Sequence, residues 1–249
     1  IMAYKTTYPY TNEVLKEFAN NSDADLEKAL VTGHALYKKW RAEGGLEERK
    51  AQLHKVADIL RRDVDKYAEV MTKDMGKLFT EAKGEVELCA EIADYFADKA
   101  EEFLEPKAFE PIHGDAYYIK QAVGVLFMVE PWNFPFYQIM RVFAPNFMIG
   151  NPTVLKHASI CPASAQAFEN LVKEAGAPEG SFKNLFLTYD QVNKAIADPR
   201  IQGVALTGSE RGGASIAAEA GANLKKSALE LGGNDAFLIL EDADFELLK

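Results

Sequence analysis

The sequence of 249 residues predicts an α/β protein built on a doubly wound parallel sheet, and three observations carry that expectation. From Val123 onward, short apolar runs alternate with helix-length amphipathic runs, the pattern of parallel strands covered on both faces. The first hundred residues instead place apolar side chains at helical spacing. Several polar residues fall just after the apolar runs, where open parallel sheets bind ligands.

Taken in order, Ser22 with Asp25 three residues on reads as a helix start. Leu26, Ala29, Leu30, Gly33, Tyr37 and Trp40 follow at helical spacing, and Gly44-Gly45 ends the run. A second helix carries Leu53, Val56, Leu60, Val64, Tyr67 and Met71 on one face and stops at Gly76. A third runs from about Thr80 to Leu104 with Val86, Cys89, Ala93, Phe96, Ala100 and Phe103 as its stripe, which makes Cys89 a core residue. Pro106 and Pro111 then change the pattern. Residues 107–122 read as extended, with Tyr117, Tyr118 and Ile119 in a polar setting. Such an arm suits pairing with a partner chain, and a plain surface hairpin is the alternative.

The alternating part follows. Val123–Val129 reads as a strand, Phe136–Ile149 as a helix, Thr153–Lys156 as a strand and Pro162–Ala175 as a helix. Asn184–Leu187, Gly203–Thr207, Ser227–Leu231 and Ala236–Leu240 read as further strands, with helices over 191–197 and 211–220 between them. The end of the chain, 242–248, looks helical. No internal repeat or low-complexity segment interrupts this order.

Composition narrows the function. The chain is 48% hydrophobic and 27% charged, as soluble globular proteins are. A net charge of −10 argues against a nucleic-acid partner, because phosphate backbones need clustered Lys and Arg. No apolar run reaches the roughly 18–20 residues that span a bilayer, so no membrane partner is expected. The first residues show no signal-peptide pattern, and two cysteines do not make a disulfide scaffold, so a reducing cytoplasm is the expected setting. His34, His54, His113 and His157 lie far apart and none pairs with a Cys at ligand spacing, so no metal site is expected.

Four places carry chemistry. Glu230, in Ala-Leu-Glu-Leu-Gly-Gly, reads as a carboxylate at the end of a buried strand, where desolvation prepares a general base. A rim carboxylate that simply reaches water is the alternative. Asn133, in Glu-Pro-Trp-Asn-Phe-Pro, is an amide held by two prolines at a strand end, a good donor to a developing oxyanion. Lys156 ends a strand and points toward the ligand crevice, where it can bind a ribose or phosphate; a surface Lys capping the strand is the alternative. Thr207-Gly208-Ser209-Glu210-Arg211-Gly212-Gly213 is a strand end, a glycine-bearing loop and a helix start, which favours phosphate, with Ser209 as an ordinary helix N-cap the alternative.

Together and in this order, these motifs resemble the aldehyde dehydrogenase superfamily over essentially the whole chain. The shared features include the Pro-Trp-Asn-Phe-Pro box, Gly-Asn-Pro-Thr-Val-Leu-Lys, Thr-Gly-Ser and Leu-Glu-Leu-Gly-Gly. The resemblance implies a Rossmann-like fold and oxidation of an aldehyde with NADP or NAD. In that family a Cys thiolate attacks the aldehyde, hydride passes to the nicotinamide, and water hydrolyses the thioester. It implies Asn133 as the oxyanion donor and Glu230 as the base that activates water. It implies Lys156 on the adenine ribose and Trp132 and Ser209 along the pyrophosphate, with Ser159, Gly208, Gly213 and Leu231 completing the cofactor set. As in the family, it implies a homo-oligomer, dimer or tetramer, joined through the arm. The domains expected are 1–104 with 123–232 for the dinucleotide, 105–122 as the oligomerisation arm, and 233–249 as the start of a catalytic domain.

The chain departs from the family pattern in three ways. The nucleophile is missing: in the family it follows the Glu-Leu-Gly-Gly motif by a few tens of residues, and neither Cys89 nor Cys161 fits the role. The chain is therefore expected to be the amino-terminal half of the enzyme. Many NAD-preferring members carry Glu three residues after the Lys, and here that place is Ser159, which does not repel a 2′-phosphate. The loop between Ser181 and Asp190 is short and lacks the usual glycine-rich turn.

Arg141 points to the substrate. It is the only charge in the apolar run Pro135–Pro145, and a guanidinium there needs a carboxylate or several acceptors. Eight residues after Asn133, it matches an Arg that binds the distal carboxylate in succinate-semialdehyde dehydrogenases. The pair His157-Ala158 and Lys225-Lys226 also look like a bacterial branch of that group. An Arg paired to an internal acid such as Glu130, or at an oligomer interface, is the alternative reading. A dehydrogenase for another small aldehyde, or a catalytically inactive dinucleotide-binding protein, stays open as a function.

Overall fold

A short antiparallel pair that the helical reading of the first hundred residues did not include opens the chain: β1 (Tyr4–Tyr8) and β2 (Glu13–Phe18). Tyr4 is buried, and its hydroxyl donates to the Leu187 carbonyl at 2.8 Å. The Lys5 N–H reaches the Ser159 carbonyl at 3.4 Å, so β1 is tied to the main sheet. The computed structural model describes residues 4–110 and 113–248. Ile1, Met2, Ala3, Pro111, Ile112 and Lys249, on some of which the sequence reading drew, lie outside the described residues.

Helix α1 (Asp23–Glu43) starts as expected, with the Ser22 and Asp25 side chains and backbones bonded reciprocally. Its buried stripe contains Leu36 in place of Tyr37, which is half-buried. The expected second helix is two, α2 (Leu46–Arg62) and α3 (Val64–Met75), broken at Asp63 with φ −112° and ψ 30°. The expected third is also two, α4 (Phe79–Asp98) and α5 (Ala100–Leu104), broken at Lys99. In both cases the apolar stripe continues across the break, so periodicity alone hid it. Gly76 ends α3 in the left-handed region, at φ 82°. The strands β3 (Lys107–Phe109) and β4 (Ala116–Tyr118) pair antiparallel and leave Phe109, Tyr117 and Tyr118 exposed.

The rest alternates: β5 (Val125–Glu130), α6 (Tyr137–Ile149), β6 (Thr153–His157), α7 (Pro162–Glu174), β7 (Phe182–Asn184), α8 (Tyr189–Ala197), β8 (Ile201–Thr207), α9 (Glu210–Ala222) and β9 (Lys226–Glu230). These strands form one sheet in the order β7-β6-β5-β8-β9, every neighbour parallel. The strand expected at Asn184–Leu187 ends where that run begins. Leu185 keeps a single bond to the Leu155 carbonyl, and Leu185 and Leu187 are buried as extended chain.

Two cores flank the sheet. Met128, Phe143, Leu155 and Phe168 pack with α2, α3 and α4 on one face. Phe127, Val154, Leu30, Ile196 and Ile216 pack with α1, α8 and α9 on the other. On the first face, α6 only borders β8 and β9, leaving a trough of about 700 Å³ along them. The expected buried strand at Ser227–Leu231 is therefore an exposed edge strand, because parallel strands need cover on both faces to be buried. The expected strand Ala236–Leu240 and helix at 242–248 do not form. The first has no neighbouring strand among the described residues, and Phe237 and Leu238 stand exposed. No helix of the described residues is long and apolar enough to cross a membrane.

Candidate functional site

Strand order locates the site. From β5 the chain steps to β6 and β7 on one side, then returns to β8 and β9 on the other. The crevice beyond the carboxyl ends of β5 and β8 is the switch point where such sheets bind ligands. Trp132 and Asn133 follow β5, and Gly208 and Ser209 follow β8, so the sheet brings these expected residues to one edge.

Register then sorts the side chains by face. Glu130 pairs with His157 and Thr207 with Glu230. Val129 pairs with Leu206, which sets Glu130 beside Thr207. Residues in register share a face, so His157, Glu130, Thr207 and Glu230 form one polar row on the α6 face. Lys156 pairs with Val129 and belongs to the opposite face.

The loop bearing Asn133 is clamped from below. The Glu85 carboxylate, fully buried, accepts the N–H groups of Phe136 (2.8 Å) and Tyr137 (3.0 Å) and is itself paired to Lys77 at 2.5 Å. The Lys77 ammonium lies 3.6 Å from the centre of the Phe134 ring. His157 donates from Nε2 to the Pro135 carbonyl at 3.0 Å and accepts the Ala158 N–H on Nδ1 at 2.7 Å. Burial holds this ring neutral, with its pKa pushed down to about 4. Asn133 is exposed on the fixed loop, and its amide has no hydrogen-bond partner among the described residues.

On the other face, Lys156 is 7% exposed. Its ammonium donates only to the His157 carbonyl, at 3.3 Å, and lies 5.9 Å from the Tyr4 ring and 5.7 Å from the Tyr189 ring. It has no carboxylate partner among the described residues, and burial lowers its pKa to about 8. Ser159 lies half-buried just past the end of β6. Ser209 caps α9 by accepting the Gly212 N–H at 3.2 Å, and the Gly208 N–H donates to the Glu230 carbonyl at 2.9 Å. Gly213 packs closely: a Cβ there would come within 2.6 Å of the end of the Leu231 side chain, which would have to turn aside. An unpaired buried ammonium and a helix N-terminus at one edge fit a phosphate-bearing ligand. The two tyrosines were missed in the sequence, since Tyr4 lies on the strand pair that was passed over and Tyr189 is one exposed aromatic at a helix start.

The trough on the α6 face ends at Arg141, Thr207 and Glu230. Arg141 donates from Nη2 to the Thr207 hydroxyl at 2.7 Å, while its Nε is buried without a partner. Glu230 is exposed, as a rim carboxylate is. Glu130 is the buried acid of this site, 2% exposed, with neither oxygen in a hydrogen bond of normal geometry. Burial raises its pKa to about 8, pulled back only in part by the Thr207 hydroxyl and the Arg141 charge.

Neither thiol is a nucleophile here. Cys89 and Cys161 are buried, and burial pushes both thiols upward; Cys161 makes only a 3.9 Å contact with the Trp132 carbonyl. No cluster of metal-ligating side chains occurs among the described residues.

Comparison with known proteins agrees with this fold. The model of the aldehyde dehydrogenase family matches residues 2–248. A succinate-semialdehyde dehydrogenase [NADP(+)] from Deinococcus radiodurans is 42% identical over 243 residues, covering 98% of this chain and 51% of the relative. The crystal structure of succinic semialdehyde dehydrogenase from Streptococcus pyogenes, in complex with NADP+, superposes with a TM-score of 0.95 at 70% identity. That match covers 99% of this chain and 54% of the other. The succinate-semialdehyde dehydrogenase structure from Burkholderia pseudomallei gives a TM-score of 0.90 at 29% identity, covering 98% and 51%. The chain spans about half the length of the relatives it matches.

Proposed function

Because this chain belongs to the aldehyde dehydrogenase family, we propose that it is the dinucleotide-binding part of an oxidoreductase that converts succinate semialdehyde to succinate with NADP. The observation that carries the proposal is a pair of cations at one sheet edge. Lys156 and Arg141 lie on opposite faces, and neither forms a salt bridge among the described residues. Two such cations make two anion subsites, one for a cofactor phosphate or ribose and one for the distal carboxylate of the substrate.

In this reading NADP, when bound, accepts the hydride. Trp132 and the α9 N-terminus at Ser209 would hold its pyrophosphate, with Gly208, Gly213 and Leu231 shaping the approach. Ser159 leaves room for a 2′-phosphate where a carboxylate would repel it, and the Streptococcus relative, described with NADP+, supports that choice. Asn133 donates its amide N–H to the oxyanion formed when a thiolate adds to the aldehyde carbonyl. Glu230 takes a proton from the water that attacks the thioester. The thiolate comes from a Cys outside these residues, since burial keeps both thiols here protonated. The bare face of β8 and β9 is where a catalytic domain beginning at 233–249 would seat. Residues 1–104 and 123–232 form the dinucleotide-binding domain, and the 105–122 hairpin joins copies into a homo-oligomer. The setting is a reducing cytoplasm, in keeping with two free cysteines.

A second reading has its own observation. Arg141 is engaged by Thr207, and an arginine held there leaves the site open to another small aldehyde. Turnover decides between them. The chain alone should oxidise no aldehyde. A protein that continues it with a segment bearing a reactive Cys should oxidise succinate semialdehyde with NADP, and Arg141→Ala should raise KM for that substrate far more than for butanal. Turnover by the chain alone would remove the external thiolate, and equal KM effects would favour the second reading.

A further inference from the structure

We propose that Glu130 is a specificity-determining positioning residue: its carboxyl, sharing Thr207 with Arg141, decides whether the Arg141 guanidinium is free to hold a ligand carboxylate. The inference rests on the reading of Arg141 given above and deepens it.

The geometry has three parts. Glu130 ends β5 beside Thr207 on β8, and both face α6. Arg141 reaches from α6 to the Thr207 hydroxyl at 2.7 Å, leaving its Nε buried without a partner. Both Glu130 oxygens are buried and outside normal hydrogen-bond geometry, with the Thr207 hydroxyl close enough to favour the ionised form. A buried acid and a buried N–H donor, each short of a partner and both close to one hydroxyl, are an ion pair that has not closed. An ionised Glu130 would close it, because an unpaired buried carboxylate is strongly unfavourable and a guanidinium is its best partner. A neutral Glu130 leaves the arginine charge to the trough.

The other groups around Glu130 do not take over this role. His157, its neighbour in register on β6, is held neutral and occupied by the Pro135 carbonyl. Glu230 lies two strands away on β9, opposite Thr207, and is exposed to water. Lys156, next to His157 in the chain, faces the other side of the sheet. Arg141 is the one cation of α6. Burial keeps Glu130 neutral up to a pH of about 8, so the arginine is available at neutral pH and is progressively withdrawn above it.

Succinate, a dicarboxylate that needs no cofactor to bind, is the probe. Its dissociation constant for this chain is measured by NMR titration between pH 6.5 and 9.5 for the parent, Glu130→Gln and Arg141→Ala. In the parent, binding should weaken by about tenfold per pH unit above the Glu130 midpoint. In Glu130→Gln, which cannot ionise, binding should stay level across the range. Arg141→Ala should lose binding at every pH. As a second measurement, the Glu130 side-chain carboxyl signal should titrate at higher pH with succinate present than without, because the coupling is reciprocal. If Glu130→Gln weakens with pH as the parent does, while Arg141→Ala still abolishes binding, the Glu130 inference falls and the Arg141 reading stands. If Arg141→Ala binds succinate like the parent, both fall. An unmoved Glu130 midpoint in the presence of bound succinate would also overturn the inference.

Discussion

The two faces of the sheet end in opposite ways at the same edge. The face under α1, α8 and α9 closes over an apolar core and buries one cation, Lys156. The face under α6 closes over β7, β6 and β5 and opens as a trough along β8 and β9, with Arg141, Thr207 and Glu230 at its end and Glu130 buried beside Thr207. Burial acts on both faces and drives Lys156 and Glu130 toward one pH, about 8, from opposite directions. What differs is the neighbour. Among the described residues Lys156 has carbonyl and ring neighbours but no acid, whereas Glu130 has a cation within reach. The covered face thus holds a fixed anion subsite, and the open face holds one whose charge can be redirected.

The contrast can be tested from its largest effect downward. Lys156→Met should weaken NADP binding by about a hundredfold, while the unliganded variant melts higher than the parent below pH 8, measured by calorimetry. The sign follows from a lowered Lys pKa: the folded chain binds fewer protons than the unfolded one between about 8 and the ordinary lysine value of 10.5. The penalty is full below that window and fades as pH rises through it. Glu130→Gln should stabilise the chain by about 2 kcal/mol at pH 8 and by little near pH 4, read from urea titrations. Here the folded state holds a proton that the unfolded state releases between the ordinary glutamate value of 4.5 and about 8, so the parent loses stability as pH rises. Equal effects at both pH values would show that Glu130 acts by packing alone. Gly213→Ala should cost about 1 kcal/mol, because Leu231 is exposed enough to turn away from the added methyl. Ser22→Ala, on the covered face, should cost about 1 kcal/mol or less through loss of the α1 cap.

The parallel sheet and its order of elements were legible because strands covered on both faces are written as continuous apolar runs. The Asn133 loop and the α9 start were legible because proline, glycine and serine restrict the backbone locally. Other features depend on contacts far apart in sequence. β1 is short and held by Leu187 and Ser159, and the helix breaks at Asp63 and Lys99 lie inside unbroken apolar stripes. Glu230 was expected at the end of a buried strand, and the strand is the bare edge of the sheet. Burial of a strand depends on what covers it, and local pattern does not record that. Glu130 was considered only as an ion-pair partner for Arg141; its orphaned oxygens are visible only once β5, β8 and α6 are in place.

The most direct test of two anion subsites on opposite faces is an amide NMR map of this chain titrated first with NADP and then with succinate. The account predicts two separate sets of shifted signals: Lys156, Tyr189 and Ser209–Gly212 with NADP, and Arg141 and Thr207 with succinate. A single shared set, or a folded chain in which neither ligand moves these signals, would contradict it.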